Sequence, residues 1–248
     1  MSTKTIVIIN PNSSSTMTEQ LARECEDLSD DRTKLSFLSN NAAPLSIEGF
    51  GDGIKAAAAL TDKILELEAS ESKADAYVIA CFDDTGVDAV RELTDAPVIG
   101  IGEAACIAAS LLGQRYIVIT TLARSVAIIE DNLSRVGVDK RCAKVYASGI
   151  PVLSLESDPQ SYQRIVELAQ SALTESRAEV LVLGCAGMAS WVNDLQKDLG
   201  VPVIDGVRVA IKFAAGLQEI GLSTSKRLSY QRPERKQNRE FTSSGVMG

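Results

Sequence analysis

The chain has 248 residues, a formal net charge of −8, five cysteines and no histidine. The acidic balance disfavours nucleic acid and anionic membrane as partners, and no apolar run approaches the roughly 18 to 20 residues needed to span a bilayer. Without histidine there is no Ser-His-Asp or Cys-His catalytic arrangement and no histidine metal site, so proton transfer falls to carboxylates, lysines or thiols.

An odd cysteine count without CxxC spacing argues for reduced thiols and against a disulfide frame or zinc knuckle. Met1-Ser2-Thr3-Lys4 leads into a strand with no signal-peptide pattern, and the expected location is the cytoplasm. With 45% hydrophobic residues, the chain can build one large domain or two small lobes.

In chain order, Thr5 to Ile9 reads as a strand, followed by the polar loop Asn10-Pro11-Asn12-Ser13-Ser14-Ser15-Thr16 and a helix to about Leu28. A loop of that composition at a strand's carboxyl end lies where α/β sheets bind ligands, although Asn and Ser there also serve as helix caps. Thr33 to Leu38 is a second strand, Asn40 to Asp52 a loop, and Ile54 to Ala69 a helix.

Ala76 to Ala80 is a short apolar strand that stops at Cys81-Phe82-Asp83-Asp84-Thr85-Gly86. A thiol at that junction meets the positive end of the next helix, which favours the thiolate. Asp83 or Asp84 is expected to cap that helix, which runs through Val87, Val90 and Leu93, rather than act as a general base. Val98 to Ile101 and Glu103 to Leu112 are the next strand and helix, and Cys25 and Cys106 read as core residues.

The second half repeats the plan. Tyr116 to Thr120 is a strand, the loop Thr120-Thr121-Leu122-Ala123-Arg124 precedes a helix through Ile128 and Leu133, and Lys144 to Ala147 is a strand. Ser161 to Glu175 is helical, and Val180 to Leu183 ends in Gly184-Cys185-Ala186-Gly187, where small residues let a ligand approach and leave backbone N–H groups free to donate. Trp191 to Leu199 is helical, Pro202 to Ile204 is the last strand and Arg208 to Ile220 the last long helix. From Leu222 onward, Lys226, Arg227, Arg232, Arg235, Lys236 and Arg239 mark a basic tail expected to be solvated or loosely docked.

Cys81 and Cys185 are 104 positions apart, and Ala96-Pro97-Val98-Ile99-Gly100 and Val201-Pro202-Val203-Ile204-Asp205 recur at nearly the same offset. A single strand-end cysteine is most often an inert core residue. Two in equivalent places of a duplicated α/β unit are candidate reactive groups.

Together, Ile9-Asn10-Pro11-Asn12-Ser13-Ser14, Cys81-Phe82-Asp83-Asp84, Pro97 to Ala105, Thr120-Thr121-Leu122 and Leu183 to Met188 resemble the hydantoin and allantoin racemases of the aspartate/glutamate racemase superfamily, over residues 5 to about 230. The resemblance implies an α/β fold of two pseudo-twofold lobes, each a mostly parallel sheet flanked by helices. Residues 1–105 with about 206–222 would form the first lobe, 106–205 the second and 223–248 the tail. It also implies a homo-oligomer and cofactor-independent racemisation of a small cyclic ureide, with Cys81 and Cys185 facing the substrate from opposite sides. Asn10, Ser14, Thr120 and Thr121 would then orient the ring, and the backbone N–H groups of Thr85, Gly86, Ala186 and Gly187 would stabilise the developing oxyanion.

Thr85 stands where the family usually has proline, which adds an N–H near Cys81 and bears on substrate preference. Cys-Phe-Asp-Asp in place of the Cys-Asn-Thr-Ala of amino-acid racemases points away from free aspartate or glutamate. Two other readings share the fold: a cysteine-dependent racemase, isomerase or decarboxylase of a small dicarboxylate, and a two-lobed binding protein without catalysis.

Overall fold

Short runs of Val, Ile, Leu, Ala and Tyr, buried on both faces, can only sit at the centre of a parallel sheet whose crossovers are helices. In the computed structural model, which describes residues 3–70, 73–155 and 157–234, the first half follows that rule. It runs β1 (Lys4–Asn10), α1 (Ser15–Glu24), β2 (Thr33–Ser39), α2 (Phe50–Glu68), β3 (Ala76–Ile79), α3 (Val87–Leu93), β4 (Val98–Gly100) and α4 (Ile101–Leu112). The second half repeats it as β5 (Tyr116–Thr120), α5 (Ala123–Val136), β6 (Cys142–Ala147), α6 (Ser161–Ser176), β7 (Val180–Leu183), α7 (Val192–Leu199), β8 (Val203–Asp205) and α8 (Gly206–Glu219).

The two four-stranded sheets have orders β2-β1-β3-β4 and β6-β5-β7-β8, every pair parallel. Equivalent residues pair in the two halves, with Ile9 beside Ile79 and Ile119 beside Leu183. The fold is therefore two related α/β units, as the duplicated segments predict.

Alternation along the strands divides the core. Ile6, Ile8, Val78, Val118, Val182 and Ile204 point into one cluster shared by both sheets, together with Ile101, Ala104, Ala105, Val207, Ala210 and Ala214 of α4 and α8. The opposite face of the first sheet packs Val7, Ile9, Tyr77 and Ile79 on Leu60 and Ile64 of α2. That of the second packs Ile117, Ile119, Leu181 and Leu183 on Ile165 and Ala169 of α6.

The last helix of each half crosses over: α4 leaves β4 but packs on β7 and β8, while α8 leaves β8 and packs on β1, β3 and β4. α4 and α8 also pack on each other, and their approach is close enough that a Cβ on Gly206 would stand 2.4 Å from the carbonyl oxygen of Ile101.

Several boundaries differ from the sequence reading. α1 stops at Glu24 and continues as a 3-10 turn over Glu26–Leu28. α2 starts earlier, at Phe50, because Gly51 and Gly53 are accommodated in a first turn where Asp52 accepts the Glu48 N–H at 3.3 Å. The segment after Cys185 is a 3-10 helix, Ala186–Trp191, before α7 begins.

The tail is more firmly held than expected up to residue 234. Thr224 donates to the carbonyls of Asp95 (2.9 Å) and Ala96 (2.6 Å), Tyr230 donates to Asp88 at 2.8 Å, and Arg232 reaches Asp95 at 2.8 Å. Arg235, Lys236 and Arg239 lie outside the described residues. No described helix is long and apolar enough to cross a membrane.

Candidate active site

In each sheet the chain turns from its first strand to one neighbour and then returns to the other, so the switch points lie between β1 and β3 and between β5 and β7. Ligands of open α/β sheets bind beyond the carboxyl ends of strands at such points. The two switch points meet at one cavity, an empty volume of about 430 Å³ counting its open mouth. Each of the four strands contributes: Asn12 after β1, Ala80 to Asp83 after β3, Thr120 and Thr121 at β5, and Gly184 to Ala186 after β7.

The strand ends are pinned by matching hydrogen bonds. Ala80 N donates to Ile9 O and Gly184 N to Ile119 O, each at 2.8 Å, which sets Cys81 and Cys185 one residue further on in equivalent places. Both sulfurs line this cavity and both residues are half-buried.

Of the other residues singled out from the sequence, Thr120, Thr121 and Ala186 line the same cavity, and Asn10, Ser14, Thr85, Gly86 and Gly187 do not. Asn10 is buried, and its amide donates to Ser14 O (3.3 Å) and Thr18 Oγ1 (3.1 Å) while its own oxygen accepts from Asn12 N. Asn10 thus shapes the loop, and Asn12, two residues on, reaches the cavity. Ser14 caps α1 by accepting from Met17 N at 3.3 Å. Thr85 donates its hydroxyl to Cys81 Sγ at 3.5 Å, Gly187 N donates to the Cys185 sulfur, and Gly86 has a left-handed φ of 76° before α3.

The sequence reading passed over Asn12, Met17, Ile47, Ser125 and Val152 as wall residues. Asn12 and Ser125 carried a signal, as polar residues in strand-end loops or a first helical turn. Met17, Ile47 and Val152 carried none, because only the approach of the two lobes brings them there.

Neither aspartate caps the helix after Cys81, whose N-cap is Gly86. Asp84, with a left-handed φ of 49°, turns to α4 and accepts from Gly102 N at 2.9 Å and Glu103 N at 2.8 Å. Asp83 faces the cavity and accepts from Ser125 on α5. Burial pushes the Asp83 carboxyl up to about 6, the Ser125 hydrogen bond opposing the shift.

The expected lowering of the thiol pKa by a helix dipole is not found. Burial pushes Cys185 up to about 11, with Asp83 and Glu48 adding to the shift and the Gly187 N–H opposing it. Cys81 is pushed higher still, by burial first and then by the Asp83 charge, against the Thr85 hydroxyl. The reason is geometric: five residues separate Cys81 from α3, while desolvation acts directly on the sulfur. Among the described residues, no group of three His, Cys, Asp or Glu is arranged to hold a metal ion.

Comparison with known proteins agrees with this fold. The profile of the Asp/Glu/Hydantoin racemase family matches residues 6–214. The chain is 45% identical over 230 residues to the hydantoin racemase of Rhizobium meliloti, covering 92% of this chain and 94% of that protein. The allantoin racemase of Klebsiella pneumoniae superposes with a TM-score of 0.90 at 36% identity, over 96% of this chain and 98% of that one. The allantoin racemase of Pseudomonas fluorescens does so with a TM-score of 0.89 at 38% identity, over 95% and 99%.

Proposed function

Because the chain belongs to the Asp/Glu/hydantoin racemase family, we propose that it interconverts the enantiomers of a five-membered cyclic ureide, a 5-substituted hydantoin or allantoin, by proton transfer between two cysteines. The observation that carries this reading is that two thiols from equivalent strand ends line one small cavity. The C5–H of such a ring is acidic because the electron pair left behind spreads onto the adjacent carbonyl as an enolate.

One sulfur, as thiolate, takes the C5 proton from one face, and the other, as thiol, delivers its own proton to the opposite face. The ring is inverted, the thiolate and thiol have exchanged places, and no electrons are gained or lost. The reverse reaction uses the same groups in opposite roles. This chemistry needs no cofactor.

Each sulfur has its own donor to support the thiolate form, the Thr85 hydroxyl at Cys81 and the Gly187 N–H at Cys185. In this reading Asn12, Thr120 and Thr121, which line the cavity, would hold the ring's carbonyl and N–H groups, and the Ala186 N–H would meet the enolate oxygen, at roughly 3 kcal/mol for a well-aimed donor. Asn10, Ser14 and Gly86 act by fixing the loops that carry these groups.

Among the described residues, the cavity wall contains one carboxylate, Asp83, and neither lysine nor arginine. A dicarboxylate would enter without a counter-charge, which favours a neutral ring over aspartate-, maleate- or malonate-type substrates.

The test is racemisation in heavy water. Cys81→Ala and Cys185→Ala are each expected to lose racemisation by at least about 1,000-fold. Each should retain C5–H exchange with solvent for one enantiomer only, opposite in the two variants. Near-normal racemisation by either variant overturns the two-thiol scheme.

A further inference from the structure

One group in the cavity wall is left unused by proton transfer between the thiols. Asp83 is the charged residue there, and it is fixed from two directions by α5 of the other lobe. Its carbonyl oxygen accepts from Asn132 Nδ2 at 2.8 Å, and its carboxyl accepts from the buried Ser125. No ion pair with lysine or arginine forms at Asp83 among the described residues. An ionised carboxylate has about four acceptor sites, so Ser125 leaves most of that capacity for a guest.

The position of Asp83 relative to the reacting carbon follows from the two sulfurs. In the racemase reading C5 sits between Cys81 and Cys185, and the charge of Asp83 acts on both sulfurs. Asp83 lines the same cavity as both cysteines, so its carboxyl is within the space that a ring held between the sulfurs and its C5 substituent must occupy. With the carboxyl near 6, the group is mostly ionised at neutral pH.

On the racemase reading above, we propose that Asp83 is a specificity-determining residue that selects cyclic ureides whose C5 substituent carries N–H donors, such as a ureido group, over those with an apolar or carboxylate substituent. A charge-assisted hydrogen bond to a desolvated carboxylate outweighs what an apolar substituent gains there. A substituent carboxylate meets a like charge with no cation to offset it.

The experiment compares allantoin, 5-benzylhydantoin and 5-carboxymethylhydantoin on the wild type and on Asp83→Asn and Asp83→Ala. It reads kcat/KM by circular dichroism and affinity by calorimetry. The ratio of allantoin to 5-benzylhydantoin is expected to fall roughly tenfold to a hundredfold in Asp83→Ala and less in Asp83→Asn, which keeps an acceptor. The ratio of 5-carboxymethylhydantoin to 5-benzylhydantoin is expected to rise in both variants.

A uniform loss on all three compounds, or unchanged ratios, overturns the assignment and makes Asp83 a residue of the lobe contact alone. If the wild type binds these rings without exchanging their C5 hydrogen, the racemase reading fails. The calorimetric ratios then decide the role of Asp83 by themselves.

Discussion

Two thiols that face one small space have to share a single negative charge, and their surroundings decide at what pH that charge becomes available. Burial holds Cys185 at about 11 and Cys81 above it, so in the free protein near neutral pH both are chiefly thiols. The reactive form, with one thiolate and one thiol, falls about tenfold for each pH unit that the pH lies below the lower pKa. In a pH–rate profile, log kcat/KM is therefore expected to rise with a slope near one from about pH 7 to about pH 10. A profile flat from pH 7 upward would mean that the first thiolate is already formed in the free protein. Thr85→Val, which removes the hydroxyl on Cys81, should lower kcat/KM by roughly fivefold to tenfold across this limb, in keeping with one weak donor to sulfur.

Among the elements, α4 and α8 carry the greatest constraint, because each starts in one half and covers the sheet of the other. Their N-termini are capped by carboxylates of different origin: Asp205 precedes α8 and accepts from Val207 N and Arg208 N, while Asp84 reaches α4 from the loop after Cys81. The Asp84 link ties the loop that carries Cys81 to the crossover helix. At Gly206 there is no room for a side chain, since the obstructing atom is the backbone carbonyl of Ile101 at 2.4 Å. Gly206→Ala is expected to destabilise the fold by about 2–4 kcal/mol in urea denaturation. Gly216→Ala, on the same helix with nothing within 4 Å of the added Cβ, should be neutral or slightly stabilising.

Across the whole molecule, the site exists only where the halves meet, and the mouth is bridged as well as the floor. Glu48, in the loop before α2, accepts the Val152 N–H of the second half at 3.3 Å, next to the wall residues Ile47 and Val152. Glu48→Ala is expected to raise KM several-fold because it loosens the rim; Glu48→Gln, which keeps an acceptor and, like Ala, removes the charge that raises Cys185, should recover most of that rise in KM. Steady-state kinetics on both variants separate this role from general destabilisation, which would lower the amount of active protein and leave KM alone.

The apolar strand runs, the helical periodicities and the near-equal offsets of the repeated segments were enough, from sequence alone, to give two parallel α/β units with Cys81 and Cys185 at equivalent strand ends. These are local properties of side-chain order. Tertiary structure decided everything that depends on contacts between the halves. It brought Asn12 rather than Asn10 to the cavity, sent Asp84 to cap α4 and turned Asp83 toward the thiols. It added Met17, Ile47, Ser125 and Val152 to the wall, and it raised the thiol pKa values where a helix dipole predicted the reverse. The physical reason is that desolvation and cavity shape are set by atoms distant along the chain, brought near only when the α4 and α8 crossovers lock the two sheets together.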